Sequence, residues 1–138
     1  MKKVTLVLLS IFLLNLNFVS GKEFHSFSST KKHLISQVND KTRTIYCDCA
    51  IQKKGKKLTP VTNQCGYKPR LELTSSGKVN VRAKRIEWEH IVSAWEFGHQ
   101  LQCWQNGGRK NCIKTNKKFK KMEADPNNLA PVIGEING

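Results

Sequence analysis

The chain is poor in acidic residues, with 10 Asp and Glu against 24 Lys and Arg. The resulting net charge of +14 attracts polyanions, and nucleic acid is the most abundant candidate. Charge sets a field and not a chemistry, so a solvated cationic surface or a basic peptide that coats anionic membranes is an alternative. The sequence also lacks internal repeats and low-complexity tracts, and its 138 residues allow one domain.

A hydrophobic run long enough to span a membrane is lacking at the N-terminus. The apolar run from Val4 to Phe18 is short for a span and contains Asn15 and Asn17. Two lysines precede this run and small residues follow it, which is typical of a secretory signal. We therefore predict a cleaved signal over residues 1–21, a single domain over residues 22–138, and a periplasmic or secreted location.

All five cysteines follow the predicted signal, and export favours disulfides over free thiols. Cys103 and Cys112 enclose a short polar loop, which suits a local bridge. Cys65 could close a lysine-rich segment onto either Cys47 or Cys49, and the spacing does not choose between them. Because five is an odd number, one cysteine has no partner in this chain.

His90, His99, Cys103 and Cys112 could also be interpreted as a zinc site, but this alternative is weak. Their spacing, H-x8-H-x3-C-x8-C, matches none of the usual structural zinc patterns. An exported protein would also tend to oxidise the two cysteines together.

The remaining pattern predicts mixed helix and strand. We predict a short helix from about Ser29 to Val38 with a serine or threonine cap, and a short strand at Thr44-Ile45-Tyr46. Turns are expected at residues 54–57 and 75–78. The segment at residues 86–92 fits both helical and strand spacing, so its structure stays open.

Candidate chemistry lies at Trp88-Glu89-His90 and close to the last residue of the sequence. The ordinary pKa of a histidine side chain is about 6.5, so a neutral His90 could accept a proton from water near neutral pH. Glu89 and Asn137 offer one anionic and one neutral oxygen, which suits magnesium with water and phosphate as further ligands. Arg109 could pair with a phosphate oxygen. In a strongly basic chain, this combination indicates metal-assisted hydrolysis of a phosphodiester.

Each of these residues also has a purely structural explanation. A lone Glu-His pair is most often a surface ion pair, and an asparagine before a glycine most often marks a helix end. Arg109, beside a glycine, is most often a solvated loop charge. The three tryptophans are more typical of a core than of base-stacking platforms.

A long stretch of the sequence nevertheless resembles the bacterial periplasmic and secreted endonuclease I family. The resemblance is carried by RIEWEHIVSAWEFGHQLQCWQNGGRKNC and, further on, by KMEADPNNLAPVIGEING. Upstream, YCDCAIQKKGKK and CGYKPR resemble the cysteine-bearing β region of the family. The match covers residues 44–138 and is far more specific than any short motif.

The resemblance implies an α+β fold, with a ββα-metal nuclease core and a disulfide-bearing β region. It implies a Mg²⁺-dependent endonuclease, with Mn²⁺ or Ca²⁺ as other candidate cations. Such an enzyme cuts DNA, and often RNA, with little sequence preference and leaves 5′-phosphate ends. We expect a monomer with no membrane span after signal cleavage.

The resemblance also assigns the metal site. By position, His90 matches the general base of the family, while Glu89 and Asn137 match its magnesium ligands. In such sites the base comes from one strand, the run after Asn128 forms the second strand, and the ligand asparagine lies on a helix. We therefore expect Ile133 to Asn137 to form the first turn of that helix.

Three further residues take supporting roles in the resemblance. Arg109 matches an arginine that stabilises the phosphate, and Glu123 matches an acidic residue that supports the site. Asn128 is expected to orient the imidazole of His90.

Members of this family continue well beyond the position of Gly138. We therefore expect this chain to be a fragment or a prematurely terminated product, with Cys47 or Cys49 pairing with a cysteine of the further segment. A helix of only about five to seven residues is too short to persist without packing. We expect Asn137 to be poorly anchored and activity to be weak or absent. The alternative function is a cationic nucleic-acid-binding remnant without catalysis.

Overall fold

The structure, a computed structural model, describes residues 23–137, so the signal predicted over residues 1–21 lies outside the described part. It has the expected α+β composition. The helices and strands follow in the order α1 (Phe27–Gln37), β1 (Ala50–Lys54), β2 (Lys57–Val61), β3 (Ile86–His90), α2 (Ala94–Gly98), α3 (Gln102–Gln105), α4 (Gly108–Thr115), α5 (Lys117–Glu123) and β4 (Leu129–Ile133). None of the helices described between residues 23 and 137 is long and apolar enough to cross a membrane.

Helix α1 and the β1–β2 hairpin form the first packing unit. The helix predicted near residue 29 begins at Phe27, because the Ser26 hydroxyl accepts a hydrogen bond from the Ser29 amide at 3.2 Å. The predicted turn at residues 54–57 joins the two strands, with Gly55 at a φ of 60°. Buried Ile51 and Leu58 pack with Val38 after the helix, and partly buried Trp88 of β3 covers them.

The strand predicted at residues 44–46 is wrong, because residues 45–47 form a turn. The buried Thr44 closes this turn: its amide donates to the Cys49 carbonyl at 3.0 Å, and its hydroxyl accepts from the Cys49 amide at 3.0 Å. The Ile45 amide donates to the Pro131 carbonyl at 2.9 Å, which joins the turn to β4. The local bonds between Thr44 and Cys49, together with the long-range bond to Pro131, outweigh the β propensity of this segment.

Two disulfides stabilise the described chain. Cys103 pairs with Cys112, as predicted, and Cys49 is the residue that pairs with Cys65. Cys47 has no disulfide partner among residues 23–137. Because Cys103 and Cys112 are bonded to each other, the zinc interpretation is wrong.

Helices α2 to α5 form the second packing unit, around the fully buried Phe119. Its ring meets those of Phe97 and Trp104, with centroids 5.4 and 5.8 Å apart. The basic stretch that surrounds Phe119 in the sequence lies on α4 and α5, where Lys114, Lys117, Lys118 and Lys121 are exposed and Lys120 is half-buried. This unit positions α5, whose last residue is Glu123.

Strands β3 and β4 pair in antiparallel fashion and settle the open question at residues 86–92. Ile86 lies opposite Ile133, and His90 lies opposite Leu129. The helical alternative would have placed Ile91, Val92 and Trp95 in the core, whereas they are 59%, 52% and 54% exposed. The strand is favoured over the helix because its pairing with β4 also buries Val132 and Ile133.

After β4 the chain makes a turn over residues 134–136, in which the Ile136 amide donates to the Ile133 carbonyl at 2.8 Å. The predicted helical turn from Ile133 to Asn137 is therefore wrong in type. The turn is held by Glu135, whose carboxylate accepts from the Arg70 and Leu71 amides at 2.9 and 3.2 Å. The Tyr67 hydroxyl and the side-chain nitrogen Nδ2 of Asn80 also donate to this carboxylate.

Gly98 offers a test of the α2–α5 core. A Cβ at this position would lie 2.6 Å from the Trp104 ring and 2.7 Å from the Phe119 ring. We expect Gly98→Ala to lower the free energy of unfolding by at least about 1 kcal/mol, because overpacking outweighs the better helix propensity of alanine. Urea denaturation of the oxidised protein measures this. Gln100→Ala, at an exposed position, is the control, and equal midpoints for the two variants would contradict the packing described.

Candidate active site

A single cavity of about 520 Å³ beside β3 contains four of the predicted site residues: Glu89, His90, Arg109 and Asn137. These residues come from β3, from α4 and from the segment after β4, so only the folded chain brings them together. Lys31, Lys56 and Arg85 also line the cavity. Together with Arg109, these four cationic side chains outnumber the two carboxylates of the wall, Glu87 and Glu89, so the cavity has a net positive charge that suits an anionic ligand.

The His90 imidazole is held in one orientation by its surroundings. Its Nε2 atom lies 2.9 Å from the Glu123 carbonyl oxygen, and Phe27 stacks on the ring with centroids 5.3 Å apart. A carbonyl oxygen can only accept a hydrogen bond, so Nε2 must carry the proton. In neutral His90, Nδ1 therefore keeps an unprotonated lone pair, which is what a general base needs.

Asn128 does not take the place that we predicted for it. Its side-chain oxygen accepts from the Val92 amide at 2.7 Å, and its side-chain nitrogen donates to the Val92 carbonyl at 2.9 Å. Both polar atoms of the amide are thus used to clamp the chain just after β3. The Glu123 carbonyl, and not Asn128, holds the His90 ring.

Glu123 connects the histidine to the arginine. The residue is only 4% exposed, and its carboxylate accepts a hydrogen bond from Nε of Arg109 at 2.6 Å. A nearly buried carboxylate requires such a partner, because an unpaired buried charge is costly. The Arg109 side chain is 44% exposed and lines the cavity, so its guanidinium also remains accessible to an anion.

Glu89 has an unsatisfied oxygen. Its Oε2 atom is buried and has no hydrogen-bond partner among residues 23–137. The exposed Tyr46 hydroxyl lies beside this carboxylate, and that contact raises the pKa of Tyr46. A buried carboxylate oxygen without a donor is unfavourable unless something positive approaches it, so the position fits a cation.

Asn137 is better anchored than we expected. Its side-chain nitrogen donates to Oε2 of Glu87 at 3.1 Å, and its backbone carbonyl accepts from Arg82. Burial opposes ionisation of Glu87, but hydrogen bonds from Arg82 and Arg85 outweigh it and lower the pKa of this carboxyl. The prediction of a poorly anchored residue is therefore wrong.

The donor set fits a magnesium-type ion. Within residues 23–137, no group of three or more His, Cys, Asp or Glu side chains is placed to enclose a metal. Glu89 and Asn137 instead provide a carboxylate and a carboxamide at one cavity. Magnesium is usually held by one or two carboxylates and keeps several waters or phosphate oxygens, so two protein ligands are enough.

Comparison with known proteins identifies the family of this chain. The family model described as Endonuclease I matches residues 26–138. The chain belongs to the endonuclease I family. The resemblance drawn from the sequence is therefore confirmed, and it extends through α1 as well.

Several relatives within the endonuclease I family carry functional names. A periplasmic deoxyribonuclease of Aeromonas hydrophila is 49% identical over 120 residues, covering 87% of this chain and 47% of the relative. An extracellular deoxyribonuclease of the same organism is 53% identical over 112 residues, covering 81% and 46%. An Endonuclease-1 of Buchnera aphidicola subsp. Baizongia pistaciae is 47% identical over 116 residues, covering 83% and 44%. The chain thus spans about half the length of the curated relatives that it matches.

Glu87, Tyr46 and Phe27 are neighbours of the site that were not predicted from the sequence. Glu87 alone left a usable signal: it is two residues before Glu89, so on a strand both side chains share one face. Tyr46 and Phe27 lie far from β3 along the chain, and no local pattern links them to it.

The tautomer of His90 can be tested directly. In neutral His90 we expect the proton on Nε2, because the Glu123 carbonyl accepts there. His99 provides an internal control of opposite sign, since its Nδ1 lies 2.8 Å from the Trp95 carbonyl and should carry the proton. Long-range ¹H–¹⁵N correlation spectra distinguish the two forms, with His90→Ala and His99→Gln variants for assignment. A neutral His90 protonated on Nδ1 would contradict the geometry described.

Proposed function

We propose that this protein is a periplasmic or secreted, metal-dependent endonuclease that hydrolyses phosphodiester bonds of DNA, with RNA as a second substrate. The observation that carries the proposal is the meeting of Glu89, His90, Arg109 and Asn137 at one cationic cavity. The names of the relatives, periplasmic and extracellular deoxyribonuclease, support both the substrate and the location.

His90 is proposed as the general base. With Nε2 engaged by the Glu123 carbonyl, Nδ1 is the atom that takes a proton from the attacking water. The stacked Phe27 ring restrains the imidazole, which lowers the entropic cost of reaching the reactive geometry. Glu123 takes part through its backbone carbonyl here, and not through its carboxylate.

Arg109 is proposed to bind the phosphate. Its Nε is occupied by Glu123, which fixes the plane of the guanidinium while the rest of the side chain remains 44% exposed. A guanidinium held in this way can donate to a phosphate oxygen as negative charge develops there. Glu123 therefore holds His90 through its backbone carbonyl and Arg109 through its carboxylate.

Glu89 and Asn137 are proposed to hold Mg²⁺, and Mn²⁺ or Ca²⁺ could take its place. The unsatisfied Oε2 of Glu89 supports this assignment, as does the hydrogen bond through Nδ2 that leaves the oxygen of the Asn137 amide available. When bound, such an ion supplies Lewis-acid stabilisation of charge on the phosphate and on the departing oxygen.

Substrate binding is proposed to depend on charge and not on base sequence. Lys31, Lys56 and Arg85 line the same cavity, and the whole chain carries a net charge of +14. Contacts to phosphates position a nucleic acid but carry no sequence information, so cleavage should be nonspecific. Such contacts release counterions, and binding should weaken steeply with salt.

We expect the oxidised protein to cut supercoiled plasmid in Mg²⁺, and EDTA to abolish this. Loss of the general base in His90→Ala should lower the rate at least about 100-fold while DNA binding persists. Lys110→Ala is the matched control, because Lys110 is exposed on α4 next to Arg109 and does not line the cavity. Cleavage that persists in EDTA would refute the proposed metal dependence. Salt-sensitive binding without any cleavage by the unmodified protein would favour the alternative of a binding protein without catalysis.

The product ends provide a separate test. Attack of water with departure of the 3′ oxygen leaves a 5′-phosphate and a 3′-hydroxyl. Fragments should therefore be joined by DNA ligase without prior phosphorylation, and polynucleotide kinase should label them only after phosphatase treatment. Labelling by the kinase without phosphatase would show that the other bond to phosphorus is broken.

A further inference from the structure

Glu87 is an acidic residue of β3 to which neither the resemblance nor the proposed function gives a role. It lies two residues before Glu89 and shares its face of the strand. Its carboxylate is fully engaged. Arg82 donates from Nε to Oε1 at 3.3 Å and from Nη2 to Oε2 at 3.1 Å. Arg85 donates to Oε1 from Nε at 2.8 Å and from Nη2 at 2.5 Å. The remaining donor is Nδ2 of Asn137, at 3.1 Å from Oε2.

We propose that Glu87 is a positioning residue for the metal ligand Asn137. Arg82 donates to both oxygens of Glu87 and Arg85 donates to Oε1, so the carboxylate acts as a hydrogen-bond acceptor at both oxygens. It therefore selects the NH₂ end of the Asn137 amide and leaves the oxygen to face the cation site. The inference rests on the proposed function, because it assigns Glu87 a task at the same site.

Orientation matters because the two ends of a carboxamide have nearly the same shape but opposite chemistry. The oxygen has lone pairs for a hard cation, whereas the NH₂ group is only a donor. A freely rotating amide would present the wrong end part of the time. A group that holds a metal ligand in place typically changes metal affinity by about 10- to 100-fold when it is removed.

The Glu87 carboxylate is tightly packed against the backbone at Gly134. A Cβ on Gly134 would lie 2.7 Å from Oε1 of Glu87 and 2.9 Å from the Arg82 carbonyl oxygen. The Gly134 amide donates to the Arg85 carbonyl at 3.0 Å. Arg82 also donates to the backbone carbonyl of Asn137, so one arginine holds both the carboxylate and the residue that it orients.

The contrast with Glu89 separates the roles of the two carboxylates. Glu87 has donors on both oxygens, whereas Oε2 of Glu89 is buried with no partner among the described residues. Oε2 of Glu89 is thus available to a cation. Glu87 can contribute only through the residue that it holds.

The test compares Mn²⁺ affinity in the full oxidised chain and its variants, measured by water proton relaxation. In Glu87→Gln one oxygen becomes an NH₂ group, and the arginines draw the remaining oxygen toward themselves. Asn137 must then turn its own oxygen toward the new NH₂ group at position 87. We expect the dissociation constant for Mn²⁺ to rise at least about tenfold. Glu96→Gln removes an exposed carboxylate on α2 with the same change in net charge and should leave it unchanged.

Two further variants separate positioning from charge and from folding. In an Asn137→Ala background Glu87→Gln should have little further effect, because the residue that it positions is gone. Gly134→Ala displaces the Glu87 carboxylate without changing any charge and should also weaken Mn²⁺ binding in the wild-type background. Because its Cβ would also lie 2.9 Å from the Arg82 carbonyl oxygen, the thermal midpoint of this variant is measured as well. If Glu87→Gln does not fold, a folded Gly134→Ala variant provides the test.

The outcomes separate the two proposals. If the wild-type protein binds no Mn²⁺ and cuts no DNA, both the proposed function and this inference fail. If the wild-type protein binds and cuts while Glu87→Gln matches Glu96→Gln, only this inference fails. An equal loss in the wild-type and Asn137→Ala backgrounds also overturns it, because Glu87 would then act through its charge alone.

Discussion

The antiparallel pairing of β3 with β4 is the contact on which the rest of the site depends. It sets His90 opposite Leu129 at one end and Ile86 opposite Ile133 at the other. At the first end, the turn before β4 clamps the chain beyond β3 through Asn128 and Val92. At the second end, the turn after β4 returns Asn137 to the same face as Glu87. A slip of one residue would reverse both faces and separate these groups.

Charge compensation then divides the acidic residues by role. In a chain of +14, an acidic side chain readily finds an arginine, and both Glu87 and Glu123 do so. Glu89, on the same strand, retains a buried oxygen without a donor. Natural proteins rarely leave such an atom unpaired without a functional reason. Oε2 of Glu89 is therefore the informative carboxylate atom among residues 23–137, because it is buried and no donor reaches it.

Sequence patterns succeeded where the structure is set by nearby residues. The turn at residues 54–57, the serine cap of α1 and the Cys103–Cys112 bridge all depend on residues close in the chain. The predictions at residues 44–46 and 133–137 were wrong because hydrogen bonds from distant segments decided those turns. The role given to Asn128 failed for the same reason, since a carbonyl on α5 had already bound the imidazole.

The sequence by itself determined the family, the basic charge and the identity of four residues that meet at the cavity, Glu89, His90, Arg109 and Asn137, because these follow from residue type and order. Only the tertiary structure decided which atom of each residue is available. His90 is 33 residues from its carbonyl partner, and Asn137 is 50 residues from Glu87. Hydrogen-bond donors and acceptors at such separations are brought together by strand pairing and core packing, and they alone select the tautomer of an imidazole or the exposed end of an amide.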